Sequence, residues 1–374
     1  MAAILPTSSS DVPPAAAPAP RTWLLIGDKL GDNAQAKTLA DALGWPYEVR
    51  RVLPKPEWVL GKPAFAPTLD HLDLARSDRL EPPWPDLVVT IGRRPSMAAL
   101  WVQDRSGGRT RIVLVGPPKR WPERFALIVA PGQFRIPPRD NLVQLDLPLM
   151  RADPARVAAA GEAWRERLAD LQRPLTAVLV GGETKPYRFD AEAASDLLCE
   201  LERLRARDGG SLYLTTSRRT RPEVVAALEA GLPEGARFYR WSAETGSANP
   251  YLGLLAHADR FVVTGDSVSM MVEVASLGKP LAIFELPLAR GFGRRMRVAL
   301  AELAGGGGGP LGRLTRSLLH RFDSAGYVRD LGEIHRLLIR RGLAVRLGEP
   351  FRPAEGPLAD ELAPVVARIR GLFG

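Results

Sequence analysis

Largely apolar runs of four to six residues, rich in valine, isoleucine and leucine and bounded by glycine, proline or polar helix-start residues, recur along the 374-residue chain at 22–26, 86–91, 111–115, 125–129, 175–180, 211–215, 260–264 and 281–284, and the more polar 47–53 reads as a further strand. A strand that is apolar without alternation is buried on both faces, which requires helices on both sides of a parallel sheet. The expected class is α/β, doubly wound. A strand running into a glycine loop occurs twice, at 22–32 and at 175–187, with a long helical stretch, 153–171, between the two. A chain of this length exceeds one usual core. Two Rossmann-like domains are therefore expected, over residues 21–172 and 173–350. Residues 1–20 are rich in Ala, Pro and Ser, without a basic start or a sustained apolar run, and read as a disordered tail rather than a signal peptide.

The most informative stretch is Thr264-Gly-Asp-Ser-Val-Ser-Met-Met-Val-Glu273. Gly265 ends a strand, and Asp266, Ser267 and Ser269 offer side-chain acceptors to the free N–H groups of a new helix. Met270, Met271, Val274 and Leu277 recur at helical spacing toward a sheet; Gly278 suits a left-handed cap and Pro280 forbids continuation. A helix N-terminus at the C-terminal edge of a parallel sheet favours an anion, typically phosphate. Glu273, further along the helix, could then accept both hydroxyls of a ribose. An ordinary turn with Ser and Asp caps and a solvated Glu273 would show the same residues. Gly181 and Gly182 would let backbone amides approach a diphosphate. Arg218 and Arg219 could supply forked donors, and Arg93 and Arg94, at another helix start, could face a phosphate or water.

The net charge of +9 points to an anionic partner, but the basic residues are scattered and no RNA- or DNA-binding motif accompanies them, so nucleic acid is not expected. The single cysteine, Cys199, excludes an intramolecular disulfide, and four dispersed histidines do not suggest a zinc site. A reducing cytoplasm fits. No run is long and apolar enough to span a bilayer, so any membrane contact is expected to be peripheral, on the inner face of the cytoplasmic membrane. The Pro-punctuated region 54–83 carries Trp58, Leu60 and Phe65, which could touch a lipid or pack on one another. Residues 290–297 read as a basic loop near a cleft, 305–309 as a glycine insertion and 314–341 as a basic helical stretch.

Asp266-Ser-x-Ser-Met-x-x-Glu273 with Gly278-Lys-Pro280, the opening Gly27-Asp-x-x-Gly-Asp-x-x-Gln35 and Thr216-Ser-Arg-Arg-Thr220 resemble bacterial relatives of the plant "elongated mitochondria" fission protein, a family regarded as candidate glycosyltransferases. More remotely, the Ser267 to Glu273 spacing is similar to the donor motif of GT-B glycosyltransferases. The resemblance implies two domains facing across a cleft, an acceptor half and a donor half, with a C-terminal helix within 351–374 packing back across the junction. It implies donor binding by Gly181, Gly182, Arg218, Arg219, Asp266, Ser267, Ser269, Met270 and Glu273. Asp32 stands where a GT-B acceptor loop carries its candidate base, and Asp28 in the same turn is the alternative; capping of a helix, with Gln35, accounts equally well for Asp32. The implied activity is metal-independent transfer from a nucleotide-diphosphate sugar to a cell-envelope glycan or lipid-linked acceptor, with no further cofactor. A catalytically silent recruitment scaffold at a membrane is the alternative. A nucleotide-sugar epimerase is disfavoured, because neither a dinucleotide fingerprint nor a Tyr-x-x-x-Lys pair is present.

Overall fold

A computed structural model describes residues 19–59, 61–243, 249–289, 330–353 and 360–374. The expectations for 1–18, Leu60, 290–297, 305–309 and 314–329 lie outside these residues.

The first sheet comprises β1 (Thr22–Ile26), β2 (Tyr47–Arg51), β3 (Leu87–Ile91), β4 (Arg111–Val115), β5 (Leu127–Pro131) and β6 (Leu142–Leu145). All are parallel, in the order β2-β1-β3-β4-β5-β6. Residues of β1 and β3 are buried throughout because helices cover both faces, including α1 (Leu30–Leu43) and α2 (Arg93–Arg105). After β1 the chain goes to β2 on one side and then to β3 on the other. That reversal opens a crevice between β1 and β3, where open α/β sheets bind ligands.

The second sheet is also parallel, in the order β12-β11-β10-β7-β8-β9. Its strands are β7 (Leu175–Leu179), β8 (Ser211–Thr215), β9 (Arg237–Tyr239), β10 (Arg260–Thr264), β11 (Leu281–Phe284) and β12 (Val345–Arg346). The helices between them are α4 (Ala191–Asp208), α5 (Pro222–Ala230), α6 (Tyr251–His257) and α7 (Val268–Ser276). Here the reversal lies between β7 and β10. The protein is thus two Rossmann-like, doubly wound domains of GT-B-like layout. Strands β6, β9 and β12 carry no sequence expectation, since each is four residues or fewer and lies at or beside a sheet edge.

The division between the cores differs from the sequence reading. Helix α3 (Pro154–Leu168), capped by Asp153, buries Val157, Trp164 and Leu168 in the core of the second sheet with Leu175 and Phe261. Trp164 lies against Gly253 of α6 so closely that a side chain there would overlap its ring. The passage between cores therefore precedes α3, about residues 146–153, rather than following it at 172, because Leu147 joins the second core and Leu149 the first. In the other direction, α9 (Leu362–Arg370) buries Val365 and Ile369 under the first sheet beside Leu39 and Leu43. Glu361, just before it, accepts from the amides of Asp146 and Leu147 at 2.6 and 3.2 Å, so both crossings are pinned together.

Helix α8 (Leu331–Arg340) connects the two C-terminal edges. Its cap, Asp330, donates its amide to the Gln133 carbonyl at 2.9 Å and pairs with Arg135 at 2.5 Å, both just after β5. Further along, His335 reaches the turn after β10. The ligand edge of each sheet thus touches one helix.

Candidate active site

Three loops meet at the β7–β10 crevice. Thr264, the last residue of β10, accepts from the Gly181 amide at 2.8 Å and donates to Asp266 Oδ1 at 2.8 Å. The other carboxylate oxygen of Asp266 accepts from the Gly182 amide at 2.8 Å and from Arg219 at 3.5 Å. Arg219 also donates to Thr184 at 2.6 Å. Burial pushes the Asp266 carboxyl up, and these donors oppose the shift. Asp266 therefore does not cap α7, and the glycine amides do not point at open space. They hold a buried carboxylate that locks the turn. The glycines are needed for room: a Cβ on Gly181 would overlap both Asp266 oxygens, and one on Gly182 would overlap the Arg219 carbonyl.

That lock turns the Asp266 side chain away from the start of α7. Ser267 precedes the helix without capping it, and its hydroxyl, on a residue only 1% exposed, has no partner among the described residues. The amides of Val268, Ser269 and Met270 likewise find no acceptor there, whereas the Met271 amide returns to the Ser267 carbonyl at 3.2 Å. A desolvated hydroxyl and three convergent amides at a helix N-terminus form a ready anion cradle. Ser269 and Met270 are half-buried, Met270 also packing on the core, while Arg218 is exposed and unpaired among the described residues.

Glu273 is not the solvated carboxylate of the plain alternative. It is half-buried and accepts from the Tyr251 hydroxyl, which tethers α6 to α7. Burial raises both groups, so Glu273 ionises at higher pH than an ordinary glutamate. A carboxyl raised by folding binds its proton more tightly folded than unfolded; its destabilising effect grows as pH rises from the unfolded toward the folded pKa and is complete above the latter. Glu273→Gln keeps an acceptor for Tyr251 and removes the buried charge. The variant is expected to melt higher than the parent at neutral pH and equally with it well below pH ~4. A difference in melting temperature that did not change with pH would contradict this account.

Sequence reasoning missed His335. Its Nε2 lies 2.7 Å from the Gly265 carbonyl, so that nitrogen carries the proton, and its ring stacks on Tyr187 at 6.1 Å. Burial lowers the His335 pKa and pushes the Tyr187 phenol up to about 12, so the pair stays neutral. Gly265 and His335 lie 70 residues apart, and no local pattern marks the contact.

At the β1–β3 crevice, α1 begins at Leu30, earlier than a cap at Asp32 requires. Lys29 is the cap position, Asp32 sits in the first turn, and Asn33 clamps the Gly27 amide and carbonyl at 3.1 and 2.8 Å. Asp28 pairs with Arg94 at 3.0 and 3.2 Å. Asp32 lies beside Gly92, which opens α2 at φ 82°. Phe65 is withdrawn into the core against Trp121, which lies outside the 54–83 region, and Trp58 is half-buried. Among the described residues, no helix is long and apolar enough to cross a membrane, and no three His, Cys, Asp or Glu side chains gather as for a metal.

The Mitochondrial fission ELM1 family model matches residues 31–307 of the chain. The chain belongs to this family. The matched span runs from α1 through both crevices to beyond β11. Similar relatives include the mitochondrial fission protein ELM1 of Arabidopsis thaliana, 28% identical over 221 residues, covering 53% of this chain and 51% of that protein. The uncharacterized protein RP120 of Rickettsia prowazekii is 25% identical over 300 residues, 71% and 83% of the two chains. The chain therefore spans about half the length of the Arabidopsis relative. Among solved structures, UDP-GlcNAc 2-epimerase of Methanocaldococcus jannaschii aligns with TM-score 0.48 at 9% identity, over 95% and 100% of the chains. ADP-heptose LPS heptosyltransferase II of E. coli aligns with TM-score 0.33 at 15% identity, over 71% and 84%.

Proposed function

We propose that the protein is a glycosyltransferase that binds a nucleotide-diphosphate sugar at the β7–β10 crevice and moves the sugar to a cell-envelope glycan or lipid-linked acceptor held by the first domain. The observation that carries the reading is the cradle of the Ser267 hydroxyl and the Val268, Ser269 and Met270 amides, left open because Asp266 turns away to Gly182 and Thr264. The diphosphate sits on this cradle, with Arg218 as an available cation and Glu273 as ribose acceptor. As the acceptor oxygen bonds to the anomeric carbon, the bond to the diphosphate breaks; the diphosphate leaves with its electron pair, stabilised by amides and helix dipole, and the acceptor proton passes to Asp32. The nucleotide sugar is the donor substrate, and the reading needs no further cofactor. Cytoplasmic action agrees with the lone free thiol of Cys199. Peripheral membrane attachment keeps only the net charge of +9 as support, since Phe65 is buried.

A thermal-shift series with nucleoside diphosphates, UDP first, tests the reading. A ligand at a hundred times its Kd should add about 2.7 kcal/mol of apparent stability. Glu273→Ala should weaken that shift at least tenfold in ligand concentration while costing roughly 1–3 kcal/mol for the orphaned Tyr251 hydroxyl. No shift with any nucleoside diphosphate or nucleotide sugar at millimolar concentration would overturn the assignment. Binding without turnover would favour recruitment instead.

A further inference from the structure

The ligand edge of the first sheet carries a second charged constellation, separate from the donor cradle. Lys119 lies in the loop after β4; it is half-buried and has no hydrogen-bond or carboxylate partner among the described residues. The charges that act on it are those of Arg93, Lys62 and Lys29, all cations. Burial and these neighbours together push the Lys119 ammonium below the usual lysine range. The cluster is built rather than incidental. Arg93 donates from Nε and Nη2 to the Pro63 carbonyl at 3.1 and 2.8 Å, and its guanidinium lies 5.6 Å from the centre of the Phe65 ring. Phe65 in turn packs on Trp121, two residues beyond Lys119, at 5.9 Å. One arginine thereby draws the 54–83 insertion, the start of α2 and the loop after β4 together, and brings Lys62 to the same place. Arg93 finds no carboxylate among the described residues, whereas the adjacent Arg94 is matched by Asp28.

The half-buried Arg93 and Lys119 and the exposed Lys29 and Lys62 repel one another, and an anion with several acceptor oxygens would relieve that repulsion. The N-terminus of the 13-residue α2 adds to the same field: the Arg93 and Arg94 amides have no acceptor among the described residues, and Gly92 provides no side-chain cap. We propose that Lys29, Lys62, Arg93 and Lys119 form a binding site for a phosphoryl or diphosphoryl group borne by the acceptor substrate. Asp32 lies beside Gly92 at the same helix start, so a group anchored there places the acceptor next to the proposed base. The word acceptor rests on the glycosyltransferase reading; the anion site does not.

Calorimetry with inorganic pyrophosphate, in the presence of saturating UDP to occupy the donor cradle, tests the site. The parent chain is expected to bind, Lys119→Met to bind at least tenfold more weakly, and the exposed Lys62→Met several-fold more weakly, with UDP affinity unchanged in both. Lys119→Met should also melt no lower than the parent, since it loses an unpaired cation and keeps its stem. Sedimentation with phosphatidic acid vesicles separates the sources of the group: Lys119-dependent co-sedimentation indicates a lipid-borne phosphate, and Lys119-dependent binding of pyrophosphate alone indicates a soluble one. If neither probe binds, or if Lys119→Met binds both as tightly as the parent, the proposal is wrong. If pyrophosphate binding depends on Lys119 but UDP does not bind at all, the donor reading fails and the anion site stands.

Discussion

Gly181→Ala is expected to abolish nucleoside diphosphate binding and to lower stability by about 2–4 kcal/mol, the range for overpacking a closed site and disturbing a buried hydrogen-bonded carboxylate. Gly181 does not occupy a left-handed conformation; what it lacks is room, because a methyl group there would overlap both oxygens of Asp266. The carboxylate would have to leave Thr264 and the Gly182 amide, and the turn that aims α7 would lose its lock. Gly31→Ala is the control, since no atom lies within 4 Å of the position its methyl group would take and α1 is already helical there. Denaturant titration and nucleotide titration of the two variants give the comparison. A Gly181→Ala protein that kept parental nucleotide affinity would show that the Asp266 lock does not shape the cradle.

Asp32→Asn is expected to lower turnover by at least about 100-fold, the usual contribution of a general base. Stability should change by no more than roughly 1 kcal/mol, since asparagine keeps the size of the side chain and an oxygen acceptor at this position in the first turn of α1. Donor affinity should not change, because Asp32 belongs to the other crevice. Release of nucleoside diphosphate from donor, with a cell-envelope extract as the acceptor source, provides the assay. Asp28→Asn should behave differently: it unseats Arg94, whose guanidinium otherwise bonds the Trp58 and Val59 carbonyls, and should appear as a loss of stability. Parental turnover in Asp32→Asn would remove it from the chemistry.

The contrast between Asp32 and Asp28 illustrates what could be read locally. Both stand in the stretch Gly27 to Asp32 after β1, and only the family resemblance ranks Asp32 before Asp28. Arg94, 66 residues on, pairs with Asp28, a contact that no local pattern marks. Likewise Phe65, for which the sequence leaves open contact with a lipid or packing within its own region, is taken into the core because Arg93 and Trp121 close over it.

The identity of nine of the twelve described strands, the parallel class, the two glycine-loop openings and the start of α7 were legible in the sequence, because apolar periodicity, chain-breaking residues and helix-start chemistry act within a few residues. Tertiary structure alone decided which partners those residues took. The Gly181 and Gly182 amides went to Thr264 and Asp266, more than 80 residues away, and not to open space. His335 came to Gly265, Lys119 came to Arg93, and α3 joined the second core rather than the first. A buried polar group must find its partner wherever the packed chain brings one, and helix α3 buries its apolar stripe against whichever sheet has space, so these choices depend on distances in space that sequence separation does not encode.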